Sequence, residues 1–144
     1  TSYQLKLNLN RLKDAGVHVL EDETITIDGA FSIVGRKDRL KKRLTATELL
    51  EKTDSSLPVL VLDHRPYYQD LLQVDREVLQ LSGHTHNGQI FPFQPFYRLI
   101  GECAYGFCQS KNVQLIVTSG AGTGGVPMRI GSTREIVDVK ITFR

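Results

Sequence analysis

Hydrophobic residues recur along this chain with two periods, one typical of helices and the other of strands. Near the start, apolar side chains occupy positions 5, 9, 12 and 15, and Gly16 follows as a helix stop, which together predict a first helix. A second, short helix is predicted for TATELLEKTDSS (45–56). This segment opens with threonine as a helix cap and ends in polar residues before Pro58.

Three unbroken apolar runs predict buried strands. A strand that is covered on both faces shows this pattern, because neither face needs polar residues for contact with solvent. The runs are PVLVLDH (58–64), VLQLSGH (78–84) and VQLIVTSG (113–120).

Shorter β-rich segments flank these runs. VHVLED (17–22), TITID (24–28) and FSIVG (31–35) predict strands, and an Asp-Gly turn signal separates the last two as in a hairpin. EIVDVKITF (135–143) alternates imperfectly between apolar and polar residues, which predicts a half-exposed strand. The mixture of helices and buried strands predicts an α/β fold with a mixed, layered sheet, and 144 residues fit a single domain.

Composition and charge exclude several classes of protein. Hydrophobic residues make up 40% of the chain and charged residues 24%, as in an ordinary globular domain. A formal charge of +2 is too small to predict a nucleic acid partner, and no apolar run reaches the roughly 18 residues of a membrane span. Cys103 and Cys108 lack the spacing of a metal site, and we expect them to be buried free thiols.

Three of the predicted strands end in loops with candidate chemistry, at 62–66, 81–88 and 118–125. His64, His84 and His86 lie in the first two loops, and imidazole nitrogens bind divalent transition metals at about 2.0–2.1 Å. In an extended segment, residues i and i+2 point the same way. His84 and His86 are therefore expected to face one site, with the glycines at 83 and 88 allowing close approach of the backbone.

These residues resemble the motifs of the calcineurin-like metallophosphoesterases. The last motif of that family, Gly-His-x-His, is similar to Gly83-His84-Thr85-His86, and the strand-terminal histidine before it is similar to His64. LDHRP, LSGHTHNGQIFP, YGF, VTSGAGTGGVPMRIG and the closing EI are similar, in order and approximate spacing, to one branch of the family. That branch includes small bacterial phosphodiesterases and lipid-sugar-nucleotide pyrophosphatases, and the resemblance covers about residues 10 to 144.

The resemblance implies a fold, an activity and a metal site. The fold would be the C-terminal half of a layered sandwich, and the activity would be hydrolysis of phosphate mono- or diesters with two divalent ions, Mn, Zn or Fe. His64 and His84 would bind one ion and His86 the other. A phosphate-ester substrate is implied, but the resemblance assigns no residue that binds it.

Three other motifs of the family, Asp-x-His, Gly-Asp-x-x-Asp and Gly-Asn-His-Asp/Glu, have no counterpart in this chain, so no catalytic residue is assigned. We therefore expect residues 1–144 to be the C-terminal portion of a longer enzyme, inactive alone and holding one metal ion or none. The expected partner is the missing half of the enzyme or a second copy of the chain. Membrane association and localisation, whether cytoplasmic or at either face of a membrane, would depend on the missing part.

Two alternative functions use the same residues. Gly120, Gly122 and Gly125 fit the G-x-G-x-x-G fingerprint of dinucleotide binding, but Pro127 and Gly131 follow where that motif requires a helix. A non-catalytic interaction module that binds a single metal ion is the other alternative. Structural zinc sites normally have four protein ligands, and a fourth ligand close to the three histidines is lacking.

Four further features have structural or functional interpretations. The basic segment 35–43 favours a solvated loop, with phosphate binding as its functional alternative. The aromatic segment 91–99 is predicted to pack in the core under a loop rather than to face lipid. His18 is predicted to be structural, and Asp63 is left out of the site because its side chain is expected to point away from that of His64.

Overall fold

The computed structural model describes residues 9–38, 42–99 and 103–142 of the chain. Residues 9–14 are helical, as the apolar spacing predicts, whereas the predicted start of this helix at position 5 lies outside the described residues. The other elements, in chain order, are β1 (Glu23–Ile27), β2 (Phe31–Gly35), α1 (Ala46–Leu50), β3 (Val59–Leu62), a 3-10 helix (Leu71–Gln73), β4 (Val78–Ser82), α2 (Phe93–Leu99), β5 (Gly106–Ser110) and β6 (Val113–Val117).

Strands β1 to β6 form one mixed sheet in the order β1-β2-β3-β4-β6-β5. Strands β2, β3, β4 and β6 are parallel, whereas β1 and β5 pair antiparallel with their neighbours at the two edges. The hairpin between β1 and β2 turns at Asp28 and Gly29, whose φ angles of 49° and 64° are those that Asp-Gly turns favour. The predicted α/β fold with a mixed sheet and flanking helices is confirmed.

Parallel pairing brings the carboxyl ends of β3, β4 and β6 to one edge of the sheet. Leu62 of β3 is in register with Leu81 of β4, which is in register with Ile116 of β6. The three loops that the sequence marks as functional follow directly after these residues. The fold therefore places them side by side, although they are far apart in the chain.

One face of the sheet is covered by α1 and the 3-10 helix. A capping box starts α1, because the Thr45 side chain accepts the amide of Glu48 and the Glu48 carboxylate accepts the amide of Thr45. This layer closes the main apolar core, which is the chief source of stability for a domain of this size. The buried members of the core are Val34, Ala46, Leu49, Leu50, Val59, Val61, Leu71, Val78 and Val113.

The opposite face of the sheet carries apolar side chains that remain partly exposed. Leu62 is 38% exposed and Phe107 is 61% exposed, and these two residues share one row of the register. Unbroken apolar strands are expected to be covered on both faces. Within the described part of the chain, only one covering layer is present on the central strands. The half-exposed apolar residues of this face also include Ile33, Leu60, Leu79, Leu81 and Ile116.

The strand predictions at the two ends of the chain are wrong. The segment at 17–22 turns away at Asp22, where φ is 59° and the carboxylate accepts the amides of Lys37 and Leu44 at 2.9 and 3.0 Å. These two bonds hold the segment across the end of the sheet instead of along its edge. The described residues 135–142 form no strand, because Glu135 is bonded within the β6 loop and the chain beyond it is exposed.

The expectation of free thiols is also wrong. Cys103 and Cys108 form a disulfide with their Cα atoms 6.0 Å apart. Cys108 lies on the edge strand β5, and the chain before that strand folds back to bring Cys103 beside it. Two cysteines five residues apart do not match the spacing of a metal site, but a disulfide can join them across a short loop.

Two interpretations of charged and aromatic segments are corrected. Of the basic segment 35–43, Arg36 and Arg43 are neither solvated nor free for phosphate, because both make buried ion pairs with Asp63. The described side chains of the aromatic segment, those of residues 91–96, do not pack in the core. The segment enters α2 with Phe93 and Phe96 exposed by 59% and 68%, and the side chains of 97–99 lie outside the described part.

Candidate metal centre

His64 follows β3 directly and is held there by the backbone of β4. Its carbonyl accepts the amide of Gly83 at 3.1 Å, so the two histidine loops are joined by a hydrogen bond. The carbonyl of Arg65 accepts the buried side chains of Gln80 and Ser82, each at 3.2 Å. These contacts hold the loop at His64 and at the residue after it, while His64 itself is exposed at the sheet edge.

Asp63 belongs to an ion-pair network beneath this loop and not to the site. Its Oδ2 accepts Nη1 of Arg43 at 2.9 Å and lies 3.4 Å from Nη1 of Arg36, and its Oδ1 accepts the amide of Arg65 at 3.1 Å. Arg36 is further paired with Asp70 at 2.6 Å. The Asp63 carboxylate is thus turned to two arginines instead of an imidazole, as alternation along the strand predicts.

The loop that carries His84 and His86 is a series of tight turns rather than an extended segment. His84, His86 and Asn87 have φ angles of 70°, 50° and 51°, a left-handed conformation that is uncommon for residues with a Cβ. The predicted extended conformation of this loop is therefore wrong. Backbone outliers of this kind cluster at functional sites, where the surrounding structure maintains them.

The two glycines of this loop have different roles. A Cβ on Gly88 would lie 2.6 Å from Cα of Gln94, and its φ is 66°, so the expected close approach is confirmed there. A Cβ on Gly83 would meet nothing closer than the carbonyl oxygen of Thr118 at 3.8 Å. The expectation of close approach at Gly83 is therefore wrong.

The rings of His64 and His84 face each other across the ends of β3 and β4. Nε2 of His64 lies 3.1 Å from Nδ1 of His84, and the ring planes meet at 76°. Two nitrogens bound to one ion at about 2.0–2.1 Å lie roughly 3 Å apart when they subtend about 100° at the ion. The observed separation is therefore compatible with a shared divalent ion.

Several groups lower the pKa of His84. Partial burial of its ring is the largest cause, followed by the positive charges of Arg65 and His64, whereas Asp38 opposes the shift. Binding of a metal requires neutral imidazole, so these groups favour the form of His84 that binds metal ions.

His86 points toward a different partner from His84. Its Nδ1 lies 3.1 Å from the carbonyl oxygen of Ser119, at the start of the loop that follows β6. Its Nε2 is near Gly124, where an added Cβ would approach it to 3.0 Å. Histidines that bind metals commonly donate their second ring N–H to a backbone carbonyl in this way.

We call residues 119–126 the Gly-rich loop. Gln89 holds it against the histidine loop, because its Oε1 accepts the amide of Gly124 at 2.7 Å and its Nε2 donates to the carbonyls of Gly124 and Val126 at 3.1 and 2.9 Å. No helix follows this loop in the described structure, so the arrangement needed for dinucleotide binding is not formed. Of the glycines in this loop, Gly124 lies directly beside His86.

All three predicted ligands open onto one cleft of about 430 Å³. However, within the described ranges no group of three His, Cys, Asp or Glu side chains converges closely enough to hold a metal ion. The structure therefore brings His64 and His84 together as a pair and leaves His86 apart on the same cleft. The lining residues are His64, His84, Thr85, His86, Gly88, Gln89, Ile90, Phe93, Gly124 and Val126.

His18 lies in a separate concave region at the same sheet edge. This region has a volume of about 430 Å³ and includes Asp63 and one side of His64, but neither His84 nor His86. His18 is exposed, and the strand in which it was predicted is not formed. It therefore provides a natural control for the other three histidines.

Sequence reasoning missed several residues that support the site. Thr85, between the two histidines, donates its hydroxyl to the carbonyl of Ala104 at 2.6 Å. Glu135 accepts the amide of Ser119 at 2.8 Å and the hydroxyl of Tyr105 at 2.7 Å. In the sequence, the only signal for Thr85, Tyr105 and Glu135 was that they fall within segments similar to those of the family, because each contact joins distant positions.

Curated proteins similar to this chain are named metallophosphoesterases. An uncharacterized metallophosphoesterase of Aquifex aeolicus is 34% identical over 150 residues, which cover 95% of the chain and 55% of that protein. One from Helicobacter pylori J99 is 39% identical over 119 residues, covering 81% of the chain and 32% of that protein. A Danio rerio transmembrane protein with a metallophosphoesterase domain is 39% identical over 85 residues, covering 57% of the chain and 20% of that protein.

The chain spans between about a third and about half of the length of the first two of these relatives. No family model and no solved structure matches it. Among the helices of the described residues, none has the length and apolar character needed to cross a membrane.

Proposed function

Because the chain belongs to the metallophosphoesterases, we propose that it supplies imidazole ligands to the two-metal site of an enzyme that hydrolyses phosphate mono- or diesters. The observation that carries this proposal is the 3.1 Å separation between Nε2 of His64 and Nδ1 of His84. The two imidazoles come from different strand ends, and the separation of their nitrogens is compatible with one shared divalent ion.

His64 and His84 would hold one ion, and His86 would contribute Nε2 to the other. When bound, two such ions lower the pKa of a water and stabilise the attacking and leaving oxygens at phosphorus. The chain's own contribution is to orient the rings. The hydrogen bond from Gly83 to the carbonyl of His64 joins the two loops that carry His64 and His84, and the contact with Ser119 orients the ring of His86.

The charge around the cleft suits an anionic substrate. The positive charge of Arg65 acts on His84, and the three imidazoles surround the cleft. Arginine attracts phosphate oxygens, while the apolar side chains of Ile90, Phe93 and Val126 line the remainder of the cleft. These features support a phosphate ester as the substrate class.

We propose further that the remaining ligands come from outside these 144 residues. The chain has no Asp-x-His, Gly-Asp or Asn-His sequence, and a catalytic metal normally has three protein ligands plus an open position. The relatives extend well beyond the stretch that they share with this chain. The partly exposed face of the sheet provides a surface on which a further layer can pack. The chain alone is then a C-terminal portion without useful activity.

A second candidate is a non-catalytic module that binds one ion. The observation that favours it is that the cleft presents imidazoles but, among the described residues, no carboxylate in its lining. The two candidates differ in what they predict for the full-length gene product. Only the enzyme gains metal-dependent turnover when the chain is in its complete protein.

The test compares the 144-residue chain with the full-length gene product in the hydrolysis of bis-p-nitrophenyl phosphate with millimolar manganese. We expect turnover from the full-length protein alone, severely reduced by His84→Ala and unchanged by the control His18→Ala. Calorimetric titration of both proteins with zinc measures binding independently of turnover. Metal binding without turnover by the full-length protein would favour the non-catalytic module. Turnover that survives His84→Ala but not His18→Ala would overturn the assignment of the ligands.

A further inference from the structure

The side chain of Arg129 gathers the Gly-rich loop beside His86. Its Nη2 donates to the carbonyl of Ser119 at 2.6 Å, to that of Gly120 at 2.9 Å and to that of Gly122. Its Nη1 donates to the carbonyl of Thr133 at 3.1 Å. One guanidinium therefore draws together carbonyl oxygens whose partial negative charges would otherwise repel one another.

Arg129 also lies against the ring of His86. Nδ1 of His86 is 3.1 Å from the carbonyl oxygen of Ser119 and 3.1 Å from Nη2 of Arg129. These neighbours call for opposite protonation of Nδ1, because a carbonyl oxygen accepts a hydrogen bond whereas a guanidinium only donates. The location of the ring proton follows from which of the two contacts is the hydrogen bond.

The hydrogen count at Arg129 decides between the two. Nη2 carries only two hydrogens, and three carbonyl oxygens, those of Ser119, Gly120 and Gly122, are nearer to it than Nδ1 of His86 is. These nearer oxygens share the two hydrogens, and the imidazole nitrogen is the most distant of the four neighbours. The carbonyl oxygen of Ser119 has two lone pairs, so it can accept from Arg129 and from His86 together. These contacts favour a ring proton on Nδ1, with the lone pair on Nε2.

We propose that Arg129 is a positioning residue that fixes His86 as its Nδ1–H tautomer and so presents the lone pair of Nε2 for metal binding. The use of that lone pair by a divalent ion rests on the proposed function, whereas the tautomer itself does not. Arg129 acts through the Ser119 carbonyl, which it holds at the acceptor position beside the ring. Such outer contacts orient a histidine ligand and strengthen its binding.

Gly124 completes this arrangement at the other nitrogen. A Cβ there would lie 3.0 Å from Nε2 of His86 and 3.2 Å from its Cδ2, which is tighter than ordinary contact. Gln89 holds this glycine through hydrogen bonds to both its backbone N–H and its carbonyl oxygen. The carbonyl of Ser119, held by Arg129, thus sets the protonated side of the ring, and Gly124 leaves free space at the other side.

The tautomer can be measured directly in the metal-free chain by long-range ¹H–¹⁵N NMR of labelled histidines. We expect wild-type His86 to be Nδ1–H and Arg129→Lys to mix in the Nε2–H form, because a point charge cannot hold several carbonyls in one plane. Zinc titration followed on the His86 resonances is expected to show affinity about 10–100-fold lower in Arg129→Lys. The exposed Arg134→Lys is the matched control and leaves both readouts unchanged.

Two outcomes would overturn the proposal: a wild-type His86 in the Nε2–H form, or an Arg129→Lys variant that keeps the wild-type tautomer. Gly124→Ala is a second variant, which removes no hydrogen-bonding group and is expected to keep the Nδ1–H tautomer while losing zinc affinity at His86. Unchanged affinity in Gly124→Ala contradicts the role of the free space. A lack of phosphodiesterase activity would refute the proposed function but would leave the tautomer result standing.

Discussion

Asp63 offers the sharpest test of what holds the His64 loop in place. Its side chain is 1% exposed and lies among Arg36 and Arg43, which are 2% and 9% exposed. With Asp70, these groups form a network of two arginines and two carboxylates with zero net charge. Asp63→Asn removes one negative charge while keeping the shape of the side chain and an oxygen for the Arg65 amide. One positive charge is then left uncompensated in the interior.

The cost follows from the partners that remain. Breaking a buried ion pair by removing one partner costs about 3–5 kcal/mol. Arg36 keeps two hydrogen bonds to Asp70 and Arg43 keeps the carbonyl of Lys37, so we expect the lower end, about 3 kcal/mol, for Asp63→Asn. Asp63→Ala also loses the bond from the Arg65 amide, which adds about 1 kcal/mol.

Urea unfolding at fixed protein concentration measures both differences, and the exposed Asp75→Asn is the control. If Asp63→Asn unfolds within about 1 kcal/mol of wild type, the network does not hold the loop as described. A loss of stability confined to Asp63→Ala would assign the role to the amide hydrogen bond rather than to charge.

Three further predictions concern other parts of the chain. Burial raises the pKa of Glu135, but hydrogen bonds led by that from Tyr105 outweigh it and lower the pKa below its usual 4.5. Between the lowered folded pKa and the usual value, the unfolded chain binds more protons than the folded chain, so this contribution to stability is complete above about pH 4.5 and is lost as the pH falls through the folded pKa. Glu135→Gln is expected to cost about 1–2 kcal/mol and to abolish this part of the acid dependence when unfolding is measured as a function of pH. Gly88→Ala forces a Cβ to 2.6 Å from Gln94 at a φ of 66°, so we expect a loss of about 2–4 kcal/mol in thermal unfolding, whereas Gly122→Ala, which has open space, stays within about 1 kcal/mol. Because the apolar face of the sheet is partly exposed, we expect the isolated chain to self-associate in analytical ultracentrifugation and Leu62→Ser to weaken the association. A compact monomer that binds no hydrophobic dye would contradict the interpretation that a further layer covers this face.

The sheet was predictable because its central strands carry their own signal. Runs such as VLVL of β3 are apolar on both faces, and that pattern identifies a buried strand without knowledge of its neighbours. The carboxyl ends of the parallel strands then had to meet at one edge, which brought His64 beside His84. The Asp-Gly hairpin and the Thr45 cap were equally local, since each depends on residues within a few positions.

Other parts of the structure depend on partners that no local pattern reveals. The buried position of Arg36 is set by Asp70, 34 residues away, and the contact of Arg129 with His86 spans 43 residues. The turned path from His84 to Gly88 could not be read from alternation, because it relies on left-handed residues that tertiary contacts maintain. The metal assignment of the histidines stays a prediction, with the geometry of His64 and His84 as its support.

The disulfide has a consequence for how this protein is made. Cys103 precedes Ala104, whose carbonyl holds the Thr85 hydroxyl between the two motif histidines. The support of the histidine loop is therefore tied covalently to an edge strand, but only where thiols are oxidised. Protein purified from a reducing host would present the same sequence with that tether open. Oxidised and reduced preparations can then differ in metal affinity while sharing one fold. The free-thiol content of each preparation should therefore be measured together with its metal affinity.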